Sequence, residues 1–207
     1  MLKDSKQVDI YSTRRIEAIT DGVFAIAMTL LVLGLNVPKL VGDINNQALW
    51  SGLKGMLPNF LAFIISFSVL GIMWGVHMRQ FESIKRVDKK VTTLNTIRLF
   101  IVILIPFTAE LAATYPKLSL AQFIYPLNLF ILALITYLQG KYVSQRSNFY
   151  DNYEDDKIKT GQASTLVFVL VSGAICVLVL PFGSYAFFAY LLIPILIPVL
   201  KKYRKKS

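Results

Sequence analysis

Six apolar stretches, each close to twenty residues long, are the feature that leaves this chain the fewest architectures. A bilayer's hydrocarbon core is about 30 Å thick and takes about 20 helical residues. No water reaches that layer, so every backbone N–H and C=O must be paired within the protein, and runs of this length do so as helices. The spans run approximately from Ile16 to Val37, Leu57 to Met78, Val91 to Tyr115, Phe123 to Tyr142, Gln162 to Leu180 and Tyr185 to Leu200. Only 16% of the 207 residues are charged and 55% are hydrophobic, whereas a soluble domain carries about 25% charged residues. The expected fold is an all-α integral membrane protein, a single domain over residues 1–207 with six transmembrane helices per subunit.

The last two spans are expected to form a tight hairpin across Pro181, Phe182 and Gly183, with Pro194 and Pro198 kinking the final helix. Met1 to Arg15 is polar and no cleavage-site pattern follows it, so no signal peptide is expected to be removed. The net charge of +10 does not point to nucleic acid, because the basic residues lie between apolar runs. Eighteen of the 22 Lys and Arg fall in the N-terminus, the second and fourth loops and the tail, against Lys39, Lys54 and Lys117 on the opposite side. Basic residues flanking spans are retained in the cytoplasm, so both termini are read as cytoplasmic. The segment Gln145 to Thr160, which mixes acids with basic residues and aromatics, is read as a solvated connector.

Chemistry is limited by what is missing. Cys176 is the single cysteine and His77 the single histidine, and no metal-ligand spacing or nucleophile with a base is present. Neither an enzyme nor a resident cofactor is expected.

Most of the information sits in the first span, from Arg15 to Leu33. At 100° per residue, Ile19, Gly22, Ile26, Thr29, Leu30 and Leu33 form one stripe, and Asp21, Ala25, Met28 and Val32 lie on the far side. Periodicity alone leaves that stripe facing either lipid or a pore. Arg15, three residues, then Ile19-Thr20-Asp21 resembles the signature of the transmembrane protein 175 family, an Arg, three residues and Phe-Ser-Asp at the start of the first helix. Ile19 replaces the Phe, and Thr20 keeps the hydroxyl of the Ser. The following Gly22 to Leu33 run and Trp74-Gly-Val-His77 also look like the family's bacterial members.

The resemblance implies a homotetrameric channel in a bacterial inner membrane, permeable to potassium in preference to sodium, with four first helices around a central pore. It places the constriction at Ile26, a pore threonine at Thr29 and an outer apolar layer at Leu33, with Leu30 on the same stripe. Partners would be other copies of the chain, membrane lipids, and K+ and other monovalent cations passing near Ile26, Thr29 and Leu33. No Thr-Val-Gly-Tyr-Gly segment is present to make carbonyl rings. Exclusion would then rest on dewetting of an apolar neck, and ion ranking on hydroxyl oxygens.

Ionisable groups inside spans are costly and mark function. Asp21, His77, Asn95 and Arg98 are expected at one depth, as a network with Trp74, Thr20 and Arg15 that locks the first helix to its neighbours. Glu110, about 18 Å further along the axis than Arg98, is read with Thr108 as a hydrogen-bonded structural acid. The rival reading is a small secondary transporter that couples protons or cations through Asp21, Arg98 and Glu110.

Overall fold

Apolar runs closed by capping or helix-breaking residues become the helices of a computed structural model that describes residues 10–40, 42–82, 84–150, 155–193 and 196. In order they are α1 (Arg14–Leu30), α2 (Asn46–Gly55), α3 (Leu57–Glu82), α4 (Lys89–Ile103), α5 (Ile105–Thr114), α6 (Ser119–Ser144) and α7 (Asp155–Phe182). Five segments among the described residues are long and apolar enough to cross a membrane: 14–34, 57–82, 89–114, 119–144 and 161–192. The expected span from Val91 to Tyr115 is not one helix. Pro106 has no N–H to give to the Val102 carbonyl, and the chain tightens at Leu104 before resuming as α5.

The last of the five segments turns back on itself. Gly183 sits at φ 57°, a left-handed conformation that suits glycine, and Gly183–Leu192 continues as a 3-10 helix. Tyr190 comes back against Phe168, ring centroids 6.3 Å apart, and Phe187 meets Tyr125 edge-on. The expected reversal at Pro181, Phe182 and Gly183 is therefore present. Pro194 and Pro198 of the sixth span lie outside the described residues, as does the basic tail.

Two small elements had no counterpart in the hydropathy pattern. Helix α2 is capped by Asn45, whose side chain accepts from the Ala48 N–H at 2.8 Å. Strand β1 (Ile10–Ser12) pairs antiparallel with β2 (Arg86–Asp88), and Ile84 bridges to Tyr150. This ribbon gathers the start of α1, the turn after α3 and the end of α6 at one end of the bundle. Three of the basic segments thus share an end, and the spans 14–34, 57–82, 89–114 and 119–144 cross in alternate directions.

The core runs down the bundle axis through Phe24, Leu70, Met73, Val102, Leu132 and Phe168. A second cluster of Ile16, Phe81, Val87, Val91, Val143 and Phe149 sits beneath the ribbon. Large side chains such as Phe100, Phe107, Leu170 and Val177 point outward, as expected where the surrounding medium is lipid.

Candidate pore face and its supporting network

Helix α1 has three sides rather than two. Its buried side is Ile16, Thr20, Phe24 and Ala27, continued by Leu31, and it packs on α3, α4 and α5. Ile19, Ile26 and Leu33 are 59%, 58% and 67% exposed, and Leu30 and Thr29 are exposed beside them. A side chain added at Gly22 would meet nothing within 4 Å. The predicted stripe is thus an apolar lane about 21 Å long that no other described residue of the same chain covers. On the far side, Asp21, expected in the supporting network, is exposed as well, as are Ala25 and Val32, and Met28 is half-buried. The wheel found the two faces but not the packed side lying between them.

Thr29 is the one hydroxyl on the lane above Ile26. It donates to the Ile26 carbonyl at 2.8 Å, so its hydrogen is held on the helix and its oxygen lone pairs remain available outward.

Behind α1 a buried polar chain runs from helix to helix. The Thr20 hydroxyl donates to the Ile16 carbonyl at 2.7 Å and accepts from Asn95 Nδ2 at 3.0 Å. Asn95 Oδ1 accepts from Arg98 Nη2 at 2.6 Å, and the same nitrogen lies 2.7 Å from His77 Nδ1. A guanidinium only donates, so Nδ1 accepts and the neutral ring carries its proton on Nε2. Thr20, His77, Asn95 and Arg98 are each at most 3% exposed. Arg98 is therefore a buried cation held by two neutral acceptors.

The expected network needs correction at Asp21, Trp74 and Arg15. Asp21 does not join it: 100° round the helix from Thr20, Asp21 is exposed and accepts from Trp74 Nε1 at 2.9 Å. The link from α1 to Asn95 and Arg98 is the Thr20 hydroxyl. Trp74 is partly exposed, and Arg15 is exposed in the first turn of α1. Glu110 departs from expectation too. It is exposed at the opposite end of the bundle, lining a shallow cleft with Gly34 and Asn59. The buried hydrogen bond there belongs to Thr108, which accepts from Asn128 Nδ2 at 3.1 Å.

A further constellation at the basic end escaped the sequence reading. Tyr142 donates to Asp88 Oδ2 at 2.6 Å, and Asp88 Oδ1 caps α4 through the Val91 N–H at 2.9 Å. Only the N-cap spacing of Asp88 before an apolar run announces it. Among the described residues no three His, Cys, Asp or Glu side chains stand close enough to hold a metal ion.

Residues 15–106, which carry nearly all of α1, the whole of α3 and the buried polar chain, match the family model described as "Endosomal/lysosomal potassium channel TMEM175". Over this stretch, a little under half of its length, the chain is similar to the TMEM175 family. It is 42% identical over 101 residues to a potassium channel of Streptomyces collinus, a match covering 49% of this chain and 48% of that one. It is 41% identical over 118 residues to a potassium channel of Chamaesiphon minutus, covering 55% and 57%. The matched stretches thus span about half the length of these curated relatives. The fold extends further: the crystal structure of a lysosomal potassium-selective TMEM175 homolog from Chamaesiphon minutus superposes with a TM-score of 0.79 at 26% identity. That superposition covers 91% of this chain and 97% of the other. TMEM175 proteins are ion channels and not enzymes.

Proposed function

We propose that the chain is a potassium-preferring cation channel of a bacterial inner membrane, with both termini cytoplasmic. It is a single-domain subunit of a homotetramer with four α1 helices around the pore. The observation that carries this reading is the lane of Ile19, Ile26, Leu30 and Leu33. It lies on the helix matched to the family, and none of the described residues of its own chain packs on it. Four copies facing an axis turn that lane into a pore wall. Ile26 forms the apolar neck, and Thr29, about 4.5 Å further along, presents oxygens to a partly dehydrated cation. A narrow apolar neck holds water poorly, so an ion entering it loses hydration that nothing replaces until the neck widens.

The transporter reading loses its coupling site. Asp21 is paired with Trp74, Arg98 is buried with neutral partners, and Glu110 is at the other end, so the three do not converge. Nor is α1 broken by proline: it is helical to Leu30 and continues as a 3-10 turn through Gly34.

The experiment is reconstitution in planar bilayers under bi-ionic potassium and sodium. Wild type is expected to give unitary currents with a reversal potential favouring potassium. Thr29→Val keeps the shape and deletes the oxygen ligand, and is expected to lower the potassium to sodium permeability ratio several-fold, worth about 1 kcal/mol of ion preference. An unchanged reversal potential removes Thr29 from selectivity.

A further inference from the structure

The basic end of the bundle carries a group of charges that the permeation pathway does not use. Lys90 Nζ lies 4.4 Å and Arg146 Cζ 4.6 Å from the centroid of the same Tyr142 ring. The two cations are therefore held no more than about 9 Å apart. Asp88, which accepts from the Tyr142 hydroxyl, is buried, and its two oxygens are engaged by that hydroxyl and the Val91 N–H. Residues 84–90 and 141–146 contain six Lys or Arg against that single acid, and Lys85, Arg86, Lys89, Lys90 and Lys141 are exposed. Like charges at this spacing repel unless an anion stands between them.

Depth indicates which anion. Segments 89–114 and 119–144 are each 26 residues, about 39 Å of helix against a hydrocarbon core of about 30 Å. About three residues extend beyond the core at each end. Lys90 is the second residue of its segment and Tyr142 the third from the end of its own, which puts both among the headgroups. Tyrosine is enriched at that level, and basic pockets between helices there hold anionic headgroups.

We propose that Lys90, Arg146 and Tyr142 form a binding site for the phosphodiester headgroup of an anionic phospholipid. The site rests on the membrane-spanning reading and not on ion conduction. Through Asp88, which ends β2, it adjoins the ribbon whose other strand leads through Thr13 into α1. Headgroup occupancy thereby bears on the first turn of the pore helix.

The test titrates the purified full chain in detergent with phosphatidylglycerol and, separately, phosphatidylcholine, counting retained lipids by native mass spectrometry. Phosphatidylglycerol is expected to be held in preference. Lys90→Gln with Arg146→Gln is expected to weaken it roughly 30-fold with phosphatidylcholine unaffected, and Arg146→Lys is expected to keep most of the binding. Equal retention of the two lipids would overturn the proposal. So would wild-type binding by the double variant, or soluble glycerol phosphate binding as tightly as the lipid. Because binding is read without current, a protein that fails to conduct leaves this site standing, and loss of lipid preference leaves the channel reading standing.

Discussion

Ile26→Asn is expected to raise conductance or basal leak about tenfold or more at equal expression, the largest functional change available from one side chain. Ile26 lies at the middle of the exposed lane, and its replacement puts four amides where four sec-butyl groups would exclude water. A wettable neck gives a passing cation continuous hydration, and lowering the barrier by about 1.4 kcal/mol already yields a tenfold faster passage. Quantified flux of a potassium congener into vesicles of known protein content reads this directly. If Ile26 faced lipid instead, an amide at that position would cost insertion energy and leave the flux unchanged.

The second large effect concerns stability, and its size depends on which member of the polar chain is removed. Asn95→Leu deletes at once the donor to Thr20 and one of the two acceptors of Arg98. It leaves a buried guanidinium with His77 alone, and breaking the support of a buried charge costs about 3–5 kcal/mol. Arg98→Met is expected to cost less, because it removes the charge itself and leaves behind only two neutral acceptors. The double variant should therefore recover much of the loss. Denaturant unfolding of the purified chain in mild detergent gives the order. An Arg98→Met variant less stable than Asn95→Leu would show that a counter-ion holds the guanidinium after all.

The spans were legible because lipid imposes a length and an apolar composition on each one. The exposed lane on α1 was legible because helical periodicity is fixed. The phase of the packed stripe was not: Thr20 and Asp21 are neighbours in sequence, and a 100° step decides which one meets Asn95. Charge drew attention to the aspartate, whereas the geometry uses the hydroxyl. The break at Leu104 was written in Pro106 but hidden by unbroken hydropathy. The β1–β2 ribbon pairs two three-residue strands more than seventy positions apart, and no local pattern announces a contact of that kind. The cations on Tyr142 come likewise from separate segments, Lys90 from α4 and Arg146 from the loop after α6, that only the tertiary fold brings together.

The central claim is that the Ile19 to Leu33 lane faces an aqueous path, and cysteine accessibility tests it most directly. In a Cys176→Ser background, which removes the single native thiol, cysteines are placed at Ile26 and Leu33 on the lane and at Ala25 and Val32 beside it. All four positions are exposed in the isolated chain, so only the assembled environment separates them. Thiols react as thiolates, which form where water reaches. Silver ions added to conducting bilayers are expected to block Ile26→Cys and Leu33→Cys and to leave Ala25→Cys and Val32→Cys conducting. Block at Ala25 and Val32 with Ile26 and Leu33 unaffected would contradict the account and put the lane in lipid.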